Sequence, residues 1–192
     1  MILMAPVSIS RIMVKTLFLM FFSFSLTTSN LLAQNNYKKW EKDSLLTWSD
    51  FKGTLDTPSS FGAMTNWHMP YSYHWSLKNG IYTLKFKVEG AIDRSRSWSK
   101  ADKQTNALLA HEQLHFDISE IFARELFIEL NKKAYTANYK NEVLDIVASV
   151  FKSATEMQQK YDEETDHSKN KIKQAEWELY VKHLLETAPE IK

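Results

Sequence analysis

The chain has 192 residues, 44% hydrophobic and 24% charged, with a formal net charge of +1. That length suits one domain with its own core, and the small charge gives no field for gathering nucleic acid or an anionic membrane surface. Cysteine is absent, which excludes disulfides, thiolate ligands and thiol nucleophiles, so a metal site here must use His, Asp or Glu.

Residues 1–33 read as a signal peptide. Arg11 and Lys15 precede an apolar run from Thr16 to Leu26, too short for a stable bilayer span, and Leu31-Leu32-Ala33-Gln34 offers a small residue for cleavage after Ala33. Met13 provides a second start with a tighter basic region. No cysteine follows the apolar run, so a lipoprotein anchor is excluded. Losing these residues removes two positive charges and no negative ones, leaving +1 − 2 = −1. The expectation is an exported protein, periplasmic or secreted, whose mature part, residues 34–192, forms one domain without a membrane span.

The mature part begins with strand-like, aromatic sequence. Residues 45–53, Leu-Leu-Thr-Trp-Ser-Asp-Phe-Lys-Gly, alternate loosely and stop at Gly53, before a loop rich in Thr, Pro and Ser. Tyr71 to Leu77 and Ile81 to Val88 flank Lys78-Asn79-Gly80, and alternating residues around Asn-Gly predict a β-hairpin. The tryptophans of this half (Trp48, Trp67, Trp75, Trp98) are expected in the core. From Lys100 to about Lys133 there is neither Gly nor Pro, and Leu108, Leu109, Ile118, Phe122 and Leu126 recur at helical spacing. Ser99 is the expected N-cap. A second helix is expected over about 141–165, with Val143, Ile146, Val147, Val150 and Phe151 on its apolar side. A third covers about 168–186, carrying Ile172, Trp177 and Leu184. The fold class is α+β, a small antiparallel sheet followed by three helices.

In the middle of the longest helix stands His111-Glu112-Gln113-Leu114-His115, or H-E-x-x-H. Four helical residues advance about 6 Å and return to nearly the same face, so both imidazoles can converge on one ion. Glu112 lies beside them, placed to take a proton from water at the metal and hand it to a leaving amine.

A catalytic zinc needs a third protein ligand. Five residues past His115 the helix has turned roughly 140° away, which directs Glu120 elsewhere, towards Arg124 at i+4 in a solvated or supporting ion pair. Asp117 points away for the same reason. The pattern H-E-x-x-H-x-x-G-x-x-H is absent. The richest other source is Tyr161-Asp-Glu-Glu-Thr-Asp-His167, with His167 the first choice, Asp162 the second and Glu156 the third. His68, His74 and His183 are expected to be structural or superficial. Tyr161 is a candidate donor to a developing oxyanion, and Asp117 or Asp162 a candidate for orienting an imidazole. Strand Ile81–Val88 is a candidate edge for an extended peptide.

The chain resembles the DUF922 family, described as bacterial, predicted secreted zinc-dependent proteases grouped with the H-E-x-x-H peptidases. The resemblance rests on Leu46-Thr-Trp-Ser-Asp-Phe-Lys-Gly53, Ser97-Trp98, Leu109-Ala-His-Glu-Gln-Leu-His-Phe-Asp-Ile118 with Ala123-Arg124, and Tyr161-Asp162, Thr165, His167, Gln174 and Trp177. The family favours Gly where this chain has Leu114 and Ser168. The resemblance implies peptidase activity without naming a substrate, and marks the segment from Tyr161 to His167 as functional.

These readings converge on an exported, zincin-like metallohydrolase with H-E-x-x-H on its long central helix, acting on a peptide or protein substrate. One zinc ion is held by His111, His115 and His167, with Glu112 as the catalytic base. The rival is a non-catalytic envelope binding or interaction protein on an inactive or structural-metal fold.

Overall fold

The computed structural model describes residues 36–56, 58–189 and 191; the expected signal peptide lies outside them. In chain order the strands are β1 (Tyr37–Lys39), β2 (Ala63–Met64), β3 (Trp67–His68), β4 (Tyr71–Lys78), β5 (Ile81–Val88), β6 (Ala91–Asp93) and β7 (Trp98–Ser99), followed by helices α1 (Asn106–Lys132), α2 (Tyr139–Thr165) and α3 (Lys171–Thr187). The fold is α+β, as expected, but among the described residues the strands form three small antiparallel sheets instead of one: β1-β6-β3, β2-β7 and the β4-β5 hairpin.

The hairpin is where Asn-Gly placed it. Lys78 pairs with Ile81, and Asn79 and Gly80 take φ of 52° and 79°, the left-handed pair that a two-residue turn matching the strand twist requires. Residues 45–53 are not a strand. A 3-10 turn over Trp48–Asp50 occupies their middle, because the buried Asp50 side chain binds its own neighbourhood. It accepts from the Thr47 N–H at 2.9 Å and from Lys38 Nζ at 3.1 Å, giving this backbone an alternative to a ladder.

Helix α1 starts six residues later than the sequence suggested. Ser99 is used in β7, and Thr105 is the N-cap, its Oγ1 accepting from the Leu108 N–H at 3.1 Å. α1 then runs through the middle of the molecule, touching β5, β6, α2 and α3. Leu114, Ile118, Phe122, Leu126 and Leu130 on α1 meet Leu84 and Val88 of β5, Val143, Val150, Ala154 and Tyr161 of α2, and Trp177 and Val181 of α3. Of the four tryptophans expected in the core, only Trp98 is buried; Trp75 is exposed on the hairpin and Trp67 lies half-buried. The three helices, not the sheets, supply most of the core.

Two features hold α1 in place. A Cβ at Gly90 would stand 2.7 Å from the Cα of Glu120, so the β5–β6 connection lies directly on the helix backbone. Glu120 and Arg124 pair at 2.8 Å as their spacing foretold, but the pair is buried, and Arg124 Nη1 donates to the Leu185 and Ala188 carbonyls at the end of α3. Burial pushes the Glu120 carboxyl up, with Arg124 partly offsetting it.

Candidate metal centre

His111 and His115 lie one turn apart on α1, where they face α2. α2 carries Gln158 and Asp162 with the same four-residue spacing, so its own one-turn stripe faces theirs. Nε2 of His111 is 3.0 Å from Asp162 Oδ1, and Nε2 of His115 is 3.1 Å from the same oxygen. His111, His115 and Asp162 form a group in which every candidate ligand atom lies within 4.8 Å of every other.

The other ring nitrogens fix what these atoms offer. His115 Nδ1 lies 2.5 Å from Gln158 Oε1, and that amide is held in register because Gln158 Nε2 donates to the His115 carbonyl at 2.9 Å. His111 Nδ1 lies 3.2 Å from Gln174 Oε1, an oxygen that also accepts from the Tyr161 hydroxyl at 2.9 Å, while Gln174 Nε2 donates to Glu178. A carbonyl oxygen only accepts, so each Nδ1 carries the hydrogen and each neutral imidazole turns the lone pair of Nε2 towards Asp162. With both imidazoles neutral, three lone pairs converge on one point, an arrangement that could hold a cation. Separations of 3.0 and 3.1 Å are close to the edge of a tetrahedron with ligand bonds of about 2 Å, roughly 3.3 Å. The donor set fits zinc or a similar divalent ion.

Among themselves the three side chains also act as a hydrogen-bonded charge group, in which protonated imidazoles donate to the Asp162 carboxylate. Burial pushes the Asp162 carboxyl up, but hydrogen bonds and charge from both histidines outweigh it and hold Asp162 well below the usual carboxylate range. Burial lowers His115, yet Asp162 and Glu112 outweigh that and leave it raised.

Glu112 is buried, and its Oε2 accepts from Thr65 Oγ1 at 2.6 Å. Thr65 lies just beyond β2, on the chain segment that forms the opposite wall of a cleft of about 810 Å³. Ala63, Met64, Thr65 and Trp67 line that wall; His111, Glu112 and His115 form the floor, and Phe151, Gln158, Asp162 and His167 the α2 side.

The expected site residues fall into place unevenly. His111, Glu112 and His115 come together with Asp162, the second choice for third ligand. The first choice, His167, stays outside the group: its Nδ1 is 3.4 Å from Asp162 Oδ1, its side chain is 39% exposed against 3% and 10% for His111 and His115, and its ring packs on Phe61 at 4.5 Å. It sits on a turn after α2 in which Asp166, His167 and Ser168 all have positive φ. That turn keeps the ring on the rim of the cleft.

Glu156 is exposed and pairs with Lys152. Tyr161 cannot serve an oxyanion. It is fully buried behind the histidines, stacked on His111 at 4.6 Å, with its hydroxyl committed to Gln174 and the His111 carbonyl. Asp117 orients no imidazole; it accepts from Trp40 Nε1 and Gln113 Nε2. Strand β5 is not the edge facing the site, since the cleft wall is built from the β2–β3 segment.

Fold and site together define an α+β protein with a cluster of two buried histidines and one partly exposed carboxylate beside a glutamate. The family described as "Bacterial protein of unknown function (DUF922)" matches residues 41–168. The chain belongs to that family. No curated protein and no solved structure matches it.

Proposed function

We propose that this protein is an exported, zincin-like, zinc-dependent peptidase, with His111, His115 and Asp162 as metal ligands and Glu112 as the base. The observation that carries the reading is the convergence of three lone pairs beside a carboxylate that is not one of them. A purely structural site closes on four protein ligands, whereas three leave a position open for water and substrate.

A divalent ion in this position supplies Lewis acidity to a carbonyl oxygen. The chain does the rest. Gln158 and Gln174 keep the imidazoles in the ligating tautomer. Thr65 holds Glu112 through Oε2, leaving Oε1 to accept the proton of the attacking water and return it to the departing amine.

The cleft wall favours a polypeptide over a small molecule. Lys100 N donates to Gly62 O at 2.8 Å, and the register pairs Met64 with Trp98 next in the ladder. Ala63, opposite Ser99, is therefore at a non-hydrogen-bonded position, and its main-chain N–H and C=O turn away from β7. They are free to pair with an extended chain laid in the cleft. Export rests on the amino-terminal sequence; no helix among the described residues is long and apolar enough to cross a membrane.

The test uses purified protein with zinc analysis and a mixed peptide library. Glu112→Gln is expected to keep stoichiometric zinc and to lose cleavage by at least a hundredfold, in the range of general-base catalysis. Cleavage unaffected by this change, or wild-type protein that takes up no zinc, would sink the proposal.

A further inference from the structure

Resting on the peptidase reading, we infer that the cleft selects a bulky apolar side chain two to three residues from the cleaved bond, seated against Trp67 and Phe151. Phe151 belongs by spacing to the apolar side of α2, among Val143, Val150 and Ala154, all buried. Yet Phe151 is 47% exposed, and its ring lies 5.1 Å from that of Trp67 across the cleft, tilted by 32°. Both residues line the same cavity as the metal-ligand group. An exposed Phe151 beside a half-buried Trp67, inside a cleft, presents apolar surface that a ligand side chain can cover.

Position along the cleft sets the distance. Phe151 precedes Gln158, the partner of His115, by seven residues, or about 10 Å of helix. Trp67 follows Thr65, the partner of Glu112, by two residues, about 7 Å of extended chain. An extended peptide advances about 3.3 Å per residue, so a side chain on this pair belongs to a residue two to three positions from the reacting carbonyl. At the other end of the same α2 stripe, Phe61 packs on His167. The site therefore needs at least two or three residues of chain on the Trp67 side of the cut, which excludes dipeptides and describes an enzyme acting on extended segments.

The probes are nonapeptides of Ala, Ser and Gly, blocked at both ends, with one Phe moved through every position. Zinc-loaded wild type should cut at a constant offset of two or three residues from Phe, read by mass spectrometry. Phe151→Ser changes an exposed side chain and should leave zinc content unchanged. It should lower kcat/KM on the Phe peptides about tenfold, bringing them level with the all-polar peptide. Cuts without a fixed offset, or a Phe preference retained in Phe151→Ser, overturn the inference. Binding of dye-labelled peptides to Glu112→Gln, read by anisotropy, separates it from the parent reading. Phe-dependent binding lost in Glu112→Gln/Phe151→Ser supports the subsite even if no cleavage is found. Equal binding of Phe and polar peptides removes the subsite even if zinc and cleavage are present.

Discussion

Replacing Asp162 by Ala and, separately, His167 by Ala tests the ligand set directly. Zinc held by four protein ligands is bound by about 10–16 kcal/mol, or about 2.5–4 kcal/mol per ligand. Loss of the Asp162 carboxylate, whose Oδ1 lies 3.0 and 3.1 Å from the two ligand nitrogens, should weaken zinc binding by roughly two to three orders of magnitude. His167 approaches only Asp162, at 3.4 Å from the rim, so its removal should cost at most about tenfold, the lower end of what outer partners contribute. Competition against a chromophoric chelator measures both constants on metal-stripped protein. Thermal unfolding gives a second readout, because zinc at 100 times its Kd adds about 2.7 kcal/mol of stability. At that zinc concentration His167→Ala should keep most of the shift and Asp162→Ala should lose it. An equal or greater loss in His167→Ala would refute Asp162 as the third ligand and restore the histidine.

Thr65→Val removes the hydroxyl that holds Glu112 while preserving shape. It should reduce kcat with little change in zinc content, and Thr65→Ser should restore kcat; failure of the serine variant to do so would show that packing, not the hydroxyl, matters. Gly90→Ala places a methyl 2.7 Å from the Glu120 Cα and should cost about 1–3 kcal/mol in urea unfolding; an unchanged midpoint would contradict the close approach. For Asp50, burial pushes the carboxyl up, but the Thr47 N–H and Lys38 outweigh it and hold it below its ordinary value of 3.8. A depressed acid stabilises the fold above the unfolded value and loses that contribution as pH falls through the folded one. Stability should therefore drop below about pH 4, and Asp50→Asn should flatten that part of the profile.

The sequence carried the parts of the site that lie within one helix. His111, Glu112 and His115 follow from the H-E-x-x-H residue types at helical spacing, and the exclusion of Glu120 and Asp117 from the same periodicity. The proposed third ligand depends on how two helices face each other, which local spacing does not encode. One signal was nevertheless present: Gln158 and Asp162 repeat the four-residue spacing of the two histidines. His167 drew attention as a free imidazole, but a ligand must also point inward, and the left-handed turn after α2 turns it to the rim. Ser168 in that turn has a φ of 77°, a conformation Gly adopts without strain, which fits the Gly expected there from the resemblance. Leu114, the other departure, is buried in the core, so it bears on packing and not on the ligands. The fold was legible where local chemistry dominates, at the Asn-Gly hairpin and the long helices, and less so where tertiary contacts decide, as for residues 45–53.

The outer partners of the cluster follow from its charge. A divalent ion, the Asp162 carboxylate and the Glu112 carboxylate sum to zero, so the centre can be buried without an uncompensated charge. Carboxylates behind the imidazoles, in place of Gln158 and Gln174, would leave the same volume with two excess negative charges. Glutamine supplies the accepting oxygen that sets each tautomer without adding charge, and its amide nitrogen anchors it to backbone or side chain. Tyr161 completes the arrangement by donating to Gln174 Oε1 from a buried position. The same reasoning gives Thr65 its place: a hydroxyl can hold Glu112 without neutralising it, whereas a lysine there would suppress the basicity the proposed reaction needs. On the proposed reading, neutral hydrogen-bonding groups around charged ones are thus what would let this site be both buried and reactive.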